Sequence, residues 1–290
     1  MILIVESGAS KTDWCAAAEG VAPVSVKTAG INLATMPDDA VEGIVNEALA
    51  ALRAQGVSGE VSEVHFYAAG LIVPEGLAIP PQAAALDAAL REAFQGAGIE
   101  YASDTLAAAR AVCGHKPGIA AILGTGSNSC FFDGERIVKN VRSAGFILGD
   151  EGGGARLGKM FMADFLKGLV PEPVSTEFGR DFEVDYMTVV RNVYRGDAPS
   201  KYLGSFAPWI LERYGSCEYV GTLVDGNFKD FIERALKQYD IGGYPVGVVG
   251  GFGYANRAIL EKVAEPYGIR FSTIIPAPVE GLVEYHLGMK

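Results

Sequence analysis

The sequence predicts an α/β protein whose two halves have similar topology. An apolar run at 2–5 ends in a turn of small residues, and a second extended run follows at 14–19. The same order returns at 119–132, with a small-residue turn at 124–128. Segments with apolar residues at helical spacing stand beside both units. Two strand–turn–strand units accompanied by helices indicate two α/β layer structures that face one another.

Each element has a local signal. The first helix begins at Met36-Pro37-Asp38-Asp39, because Pro and acids favour a helix start, and an Ala-rich segment indicates the second. The predicted strands are 2–5, 14–19, 61–69, 100–102, 119–123, the segment starting at 130–132, and 246–249. The predicted helices are 40–55, 80–96, 105–112, about 153–168, 181–194, 200–213, 221–240 and 256–267, with a C-terminal helix from Val279.

Length and charge predict two domains. The chain has 290 residues, 49% of them apolar and 20% charged, which describes a compact fold with a sizeable core. Residues 1–116 carry a net charge of −8 and residues 117–290 one of −3. We therefore place the boundary at 116/117, with domains 1–116 and 117–290, and the last helix, about 279–290, able to pack back on the first domain.

Composition excludes several classes of function. A net charge of −11 repels nucleic acid, so we expect no nucleic-acid partner. The four cysteines form no CxxC pair, and His65, His115 and His286 show no triad pattern, so we expect these side chains to be structural. No apolar run reaches about 18 residues and no basic leader opens the chain, so we expect a cytoplasmic protein without a membrane partner.

Three glycine-containing turns follow apolar strands, at 6–13, 124–128 and 250–253. Gly, Ser and Thr allow backbone N–H groups to approach a phosphate closely. One such turn is typical of an ordinary hairpin, whereas three favour a nucleotide held between two halves. A Walker A motif and a Rossmann GxGxxG are missing from the required strand-to-helix context. The remaining architecture is the actin, hexokinase and chaperone ATPase fold, two ribonuclease H-like domains with a nucleotide cleft between them.

Four segments carry a more specific resemblance. They are Glu6-Ser-Gly-Ala-Ser-Lys-Thr-Asp13, Ser103-Asp104-Thr-Leu-Ala-Ala-Ala109, Leu123-Gly-Thr-Gly-Ser-Asn128 and Gly149-Asp-Glu-Gly-Gly-Gly154. Their order and spacing resemble the N-acetylglucosamine kinase-like family of ATPases, which also includes activators of benzoyl-CoA reductase and of hydroxyacyl-CoA dehydratases. The resemblance covers almost the whole chain, and Gly247-Val-Val-Gly-Gly-Phe-Gly253 looks like the family's adenosine-site strand and turn.

The resemblance implies ATP and Mg²⁺ as cofactors, a homodimer, and roles for individual residues. The residues implied to bind ATP are Gly8, Ser10 and Lys11 in the first turn, Gly124 and Thr125 in the second, and Gly250 and Gly251 at the adenosine end. The residues implied to contact the sugar are Asn32, Asp104, Ser127, Asn128, Gly145 and Asp150. Asp104 stands at the position of the catalytic base. The animal enzyme's Gly-Trp-Gly sugar segment is Ala144-Gly145-Phe146 here, which bears on amino-sugar specificity.

The residue types leave alternatives open at four of these positions. Asp104 is either an N-cap of the helix that follows or a carboxylate that takes a proton from a hydroxyl. Glu6 either ends its strand or holds Mg²⁺ through water. Asp150 either starts a helix, where acids suit the dipole, or binds sugar hydroxyls. Lys11 is either a solvated hairpin lysine or a point charge near the phosphates.

The predicted function is an ATP-dependent kinase of an amino sugar, N-acetylglucosamine first, with the 6-hydroxyl as acceptor by resemblance. N-acetylmuramic acid and glucosamine are alternative substrates, and Arg142 is a candidate partner for the lactyl carboxylate of the former. An alternative of another class is an ATPase that activates a CoA-ester dehydratase or reductase. Such activators carry cysteines for an iron–sulfur cluster at a dimer interface, and Cys113 and Cys130 are the closely spaced pair here.

Overall fold

The computed structural model describes residues 1–8, 11–31, 33, 36–57, 60–71 and 79–289. They form two compact units. The first unit contains Met1–Lys116, Gly134–Arg136 and Ala277–Lys290, and the second contains Pro117–Asp133 and Ile137–Pro276. No helix formed by the described residues is long and apolar enough to cross a membrane.

The strands and helices alternate along the chain as in a layered α/β protein. The strands are β1 (Ile2–Ser7), β2 (Lys11–Ala18), β3 (Val21–Ala29), β4 (Glu63–Ala68), β5 (Gly98–Ser103), β6 (Gly118–Leu123), β7 (Ser127–Phe132), β8 (Ile137–Val141), β9 (Val246–Val249) and β10 (Phe271–Ile275). The helices are α1 (Asp38–Ala54), α2 (Ala84–Ala93), α3 (Asp104–Cys113), α4 (Gly145–Leu148), α5 (Gly154–Leu166), α6 (Val174–Phe182), α7 (Tyr186–Tyr194), α8 (Pro199–Gly204), α9 (Ala207–Leu211), α10 (Glu218–Arg234), α11 (Gly251–Ala255), α12 (Arg257–Ala264) and α13 (Val279–His286).

Each unit is built on a five-stranded mixed sheet. The order in the first unit is β3-β2-β1-β4-β5, and the order in the second is β10-β9-β6-β7-β8. In both sheets the first strand pairs antiparallel with the next along the chain and parallel with a later one. The second sheet therefore repeats the first, which confirms the prediction of two halves with similar topology.

The β1–β2 hairpin is anchored by a buried aromatic side chain. Trp14 is fully buried, and its indole nitrogen donates to Thr28 Oγ1 at 2.9 Å. Val5 lies opposite Trp14 in the register and is also fully buried. Both the apolar ring and the polar N–H of the indole are thus satisfied, which fixes the direction in which the hairpin leaves the core.

The structure differs from the sequence-based predictions mainly at sheet edges and at helix breaks. Strands β3, β8 and β10 were not predicted, because as edge strands they have few buried side chains and show little apolar periodicity. The predicted helix 181–194 is wrong at its start, because Asp185 caps α7 by accepting a hydrogen bond from the Thr188 amide at 2.9 Å. The predicted helix 200–213 is two helices, α8 and α9.

The C-terminal helix α13 lies against α3 within the first unit. Gly281 makes this approach possible, because a Cβ atom there would stand 2.6 Å from the Ala111 carbonyl oxygen and 2.9 Å from its Cα. Backbone atoms cannot rotate out of the way as a flexible side chain can. A larger residue at position 281 would therefore push the two helices apart.

We expect Gly281→Ala to lower the free energy of unfolding by about 1–3 kcal/mol, the usual cost of overpacking. The matched control is Gly43→Ala in α1, where an added Cβ meets no atom within 4 Å. That substitution should stabilise the protein by up to about 1 kcal/mol, because Ala has the higher helix propensity. Denaturant unfolding of both variants measures the two effects, and equal effects would contradict the close packing of α13 on α3.

Candidate active site

The turn between β1 and β2 is closed by backbone and hydroxyl hydrogen bonds. The Gly8 amide donates to the Lys11 carbonyl at 3.0 Å. Beneath the turn, Ser7 Oγ and Thr12 Oγ1 are 2.9 Å apart, and Ser7 Oγ accepts from the Ile31 amide at 3.0 Å. The hydroxyl pair thus ties the hairpin to the segment after β3. Ser10 and Asn32, both predicted to bind ligand, lie outside the described residues.

Two carboxylates face each other across this hairpin. Glu6 lies opposite Asp13 in the β1–β2 register. Asp13 is compensated, because its oxygens lie 2.9 Å from Lys11 Nζ and 3.6 Å from Lys27 Nζ. Burial, followed by the charges of Asp13 and Asp104, raises the pKa of Glu6 to about 7 despite the opposing effect of Lys11. Lys11, predicted to bind phosphate, is largely exposed and paired with Asp13.

Asp104 is the first residue of α3, directly after β5. The preceding residue, Ser103, is the N-cap, and its hydroxyl accepts a hydrogen bond from the Leu106 amide at 3.2 Å. The alternative reading of Asp104 as the N-cap is therefore wrong. Burial raises the pKa of Asp104, although hydrogen bonds from Thr105 act in the opposite direction. Asp104 is therefore a partly buried carboxylate at the start of α3 that does not cap the helix.

The turn between β6 and β7 is held by backbone hydrogen bonds to the start of α5. The Gly154 amide donates to the Gly124 carbonyl, and the Ala155 amide donates to the Thr125 carbonyl, both at 2.9 Å. Within the turn, the Gly124 amide donates to the Gly126 carbonyl at 2.9 Å. These hydrogen bonds join the second glycine-rich turn, the segment 149–154 and the start of α5 into one piece.

Asp150 is buried in this piece and adopts a left-handed backbone conformation, with φ of +57°. Its Oδ1 accepts a hydrogen bond from the Ser127 amide at 3.2 Å. Burial raises its pKa, whereas the Ser127 amide and the Ser143 hydroxyl lower it. Helix α5 starts only at Gly154, with Gly153 as its N-cap, so the reading of Asp150 as a helix-start acid is wrong. Its carboxylate instead holds the turn that precedes β7.

Three further residues with a predicted sugar contact, Ser127, Asn128 and Gly145, belong to the same unit as Asp150, whereas Asp104 belongs to the first unit. Asn128 Oδ1 accepts from the Ser129 amide and from Asn140 Nδ2, both at 2.9 Å. Gly145 has φ of +71° and begins the short helix α4. A cavity of about 180 Å³ is lined by Ser127, Asn128, Arg142, Ser143, Ala144, Leu148, Gly149, Glu151, Phe231, Arg234, Ala235 and Gln238.

A larger cavity of about 770 Å³ opens beside the second turn. Its volume suits a nucleotide-sized ligand. It is lined by Gly124, Thr125, Gly154, Gly204, Ala207, Pro208, Leu211, Glu212, Gly251, Phe252, Ala255 and Asn256. Gly250, which precedes the lining residue Gly251, has φ of +130°, and a Cβ there would be 2.4 Å from the Leu123 carbonyl oxygen. Three residues with a predicted ATP contact, Gly124, Thr125 and Gly251, therefore share one cavity wall.

Sequence reasoning missed a polar cluster in the first unit. The rings of His65 and His286 stack with centroids 3.6 Å apart, and His65 Nδ1 lies 2.8 Å from a Glu100 carboxylate oxygen. Arg110 binds Glu100 through both terminal nitrogens and donates to Tyr67 OH at 2.6 Å. His65, Glu100 and His286 could in principle hold a metal ion, but Arg110 already supplies the positive charge there. The cluster therefore binds α13 to the sheet.

Solved structures of other proteins resemble this chain over nearly its whole length. A crystal structure from Porphyromonas gingivalis, provisionally assigned as an N-acetylglucosamine kinase, is 36% identical over 99% of both chains, with a TM-score of 0.89. A second provisional N-acetylglucosamine kinase, from Chromobacterium violaceum, is 19% identical over 98% of this chain and 99% of the other, with a TM-score of 0.75. No family model and no curated protein matches the chain.

A more distant structure supports the fold alone. A ROK family glucokinase from Streptomyces griseus, solved with glucose and AMPPNP, is 17% identical over 98% of this chain and 97% of the other, with a TM-score of 0.53. The predicted actin and hexokinase-like ATPase fold is therefore confirmed. The identity to the Porphyromonas gingivalis protein extends over essentially the whole length of both chains, so the chain belongs to the N-acetylglucosamine kinase-like family of ATPases.

Proposed function

We propose that the protein is an ATP-dependent sugar kinase that phosphorylates an amino sugar, N-acetylglucosamine first, at the 6-hydroxyl. The observation that carries this proposal is the placement of Asp104, a carboxylate at the start of α3 whose capping role is taken by Ser103. The relatives described above support the class of reaction. The animal family's sugar segment differs here at 144–146, so N-acetylmuramic acid and glucosamine remain alternative substrates.

Asp104 acts as the general base in this proposal. Phosphoryl transfer to a hydroxyl requires a group that orients the hydroxyl and accepts its proton as the phosphoryl group arrives. Burial raises the pKa of Asp104, which makes its carboxylate a better proton acceptor than an exposed aspartate. The proposed sugar contacts are Asn32, Ser127, Asn128, Gly145 and Asp150. The reaction requires that the bound sugar present its acceptor hydroxyl within hydrogen-bond reach of Asp104.

The nucleotide is proposed to bind in the 770 Å³ cavity of the second unit. Gly124 and Thr125 would lie at the phosphates, and Gly250 and Gly251 at the adenosine end. Gly8, Ser10 and Lys11 would contribute the first turn. Glycines suit these positions because a ligand can approach the backbone where no Cβ stands in the way.

Mg²⁺ would be held with the phosphates by Glu6 through water, where it would neutralise charge on the transferred group. The residues present fit such an ion. Burial, followed by the charges of Asp13 and Asp104, raises the pKa of Glu6, so both of these carboxylates lie close enough to repel its charge. Hard carboxylate oxygens crowded in this way are the donor set that Mg²⁺ prefers. The protein itself supplies the carboxylate of Glu6, and strand β1 sets the position from which this carboxylate extends.

No observation favours the alternative of an activator ATPase. Among the described residues, the only group close enough to ligate a metal contains two histidines and a glutamate, and no cysteine. Of the closely spaced pair, Cys130 is buried and Cys113 is partly exposed. The family resemblance also supports a homodimer located in the cytoplasm, and sedimentation of the purified protein would measure the first of these.

We expect Asp104→Asn to lower the rate of sugar phosphorylation by about 100-fold or more, the usual contribution of a general base. Binding of Mg-ATP should be unchanged, because the substitution leaves the nucleotide cavity intact. A coupled ADP assay measures the rate, and a fluorescent ATP analogue measures the binding. The control is Asp38→Asn, an exposed acid in the first turn of α1, which should retain full activity. A fully active Asp104→Asn variant would contradict the assignment.

A panel of sugars identifies the acceptor. With Mg-ATP, we expect ADP release on addition of N-acetylglucosamine, and the same assay with glucosamine, N-acetylmuramic acid and glucose ranks the alternatives. Removal of Mg²⁺ with EDTA should abolish the signal, because the charge on the phosphates is then not neutralised. No stimulation by any of the sugars, together with iron in the purified protein, would favour the activator alternative.

We expect Glu6→Gln to stabilise the free protein at pH 8 and to impair catalysis. Above pH 7 the folded protein must carry an ionised Glu6 that its surroundings disfavour, which costs about 3 kcal/mol for a pKa raised from 4.5 to about 7. As the pH falls through 7 the folded state takes up a proton, and below 4.5 both states are protonated, so the advantage of the variant disappears.

Thermal unfolding between pH 4 and pH 8, without Mg²⁺ or nucleotide, measures this effect. Glu42→Gln on the exposed face of α1 is the matched control and should change the unfolding temperature little at either pH. An equal gain for Glu6→Gln at pH 4 and at pH 8 would show that the effect is not electrostatic.

A further inference from the structure

One wall of the proposed nucleotide cavity is formed by helix α11 and by Asn256, the residue that follows it. Helix α11 begins at Gly251, close to the end of β6, and runs five residues to Ala255. At 1.5 Å per residue this carries the chain about 7 Å from the turn before Asn256 is reached. Asn256 is 9% exposed and lines the cavity together with Phe252 and Ala255.

The orientation of the Asn256 amide is set by its neighbour. Its Nδ2 donates to the Phe252 carbonyl at 2.8 Å, and a carbonyl can only accept, so the NH₂ group must face Phe252. The remaining polar atom, Oδ1, has no hydrogen-bond partner among the residues that the structure describes. Because Asn256 lines the cavity, this unpaired acceptor can receive a hydrogen bond from a donor on a ligand.

The rest of this end of the cavity is apolar, with one further acceptor. Phe252, Leu211 and Pro208 provide flat or apolar contact area for an aromatic ring. Glu212 also lines the cavity, and its carboxylate is an acceptor without any donor hydrogen when ionised. The polar groups at this end therefore accept hydrogen bonds rather than donate them.

We propose that Asn256 Oδ1, supported by Glu212, selects a 6-amino purine over a 6-oxo purine in the nucleotide cavity. An exocyclic amino group donates to such acceptors, whereas a 6-oxo group would set two acceptors against each other and leave both unpaired. The inference rests on the proposed binding of a purine nucleoside triphosphate in this cavity. It goes beyond that proposal by naming the side chains that distinguish one purine from another.

Binding of nucleotides without sugar tests the inference independently of sugar phosphorylation. Mg-ATP, Mg-ITP and the triphosphate of purine riboside, which has only hydrogen at position 6, are titrated against the full-length protein by calorimetry. We expect ATP to bind at least about 10-fold more tightly than ITP, with purine riboside triphosphate between them. ATP gains a hydrogen bond to Asn256 Oδ1, purine riboside triphosphate lacks it, and ITP places a second acceptor against Oδ1.

Asn256→Ala should weaken ATP binding about 3- to 10-fold and leave ITP binding unchanged or stronger, so that the ATP-to-ITP ratio contracts. A role limited to capping α11 would weaken both nucleotides equally, and that result would overturn the inference. Glu212→Gln is a second variant on the cavity rim, where folding is not at risk because the side chain is 73% exposed. Its new amide donor should raise the affinity for ITP relative to ATP.

Glu261→Gln is the matched control. Glu261 is paired with Arg257 on the surface of α12 and does not line the cavity, so the substitution should leave the ratio unchanged. Equal affinity of the wild-type protein for ATP and ITP would overturn the inference and leave the sugar kinase proposal standing. Clear discrimination between ATP and ITP without phosphate transfer to any sugar would support the inference about Asn256 and contradict the sugar kinase proposal.

Discussion

The second unit depends on backbone groups that approach one another at the carboxyl end of β6 with no Cβ between them. A Cβ on Gly250 would stand 2.4 Å from the Leu123 carbonyl oxygen, and one on Gly153 would stand 2.8 Å from the Thr125 carbonyl oxygen. Both neighbours are backbone atoms, so neither contact can be relieved by a rotamer change. The glycines at these positions are therefore required for space, next to Gly251 and Gly154, which line the 770 Å³ cavity.

The conformation of the same region also depends on the side chain of Asp150. A non-glycine residue with φ of +57° carries a conformational cost of about 1–2 kcal/mol. The hydrogen bond from the Ser127 amide to Asp150 Oδ1 offsets part of this cost. The Gly126 backbone must lie close to the same carboxylate, since a Cβ there would be 2.9 Å from Oδ2. Any sugar contact made by Asp150 is thus coupled to the conformation of the turn at 124–126.

The sequence predicted those parts of the site that depend on neighbours in the chain. The turn at 124–126 and the glycines at 250 and 251 were predictable, because a strand end and small residues are local signals. The stacking of His65 on His286 was not, because 221 positions separate the two residues and only the packing of α13 brings them together. The cap at Ser103 was missed for a subtler reason. Ser and Asp are both good caps, and their order alone does not decide which side chain turns back to the helix.

The first unit keeps its carboxylates at a cost to its own stability. Like charges opposite one another across an antiparallel pair are unfavourable. Lys11 and Lys27 pair with Asp13, whereas Lys11 offsets the raised pKa of Glu6 only in part. Glu6 is left with a pKa near 7, which means that a neutral side chain at this position would make the folded state more stable at neutral pH and above. A group retained against its folding energy is typical of a functional site. A proton and a cation would both offset the burial of this charge and its repulsion by Asp13 and Asp104, so they would compete for Glu6. In the role proposed for Glu6, binding of Mg²⁺ would therefore weaken as the pH falls below 7.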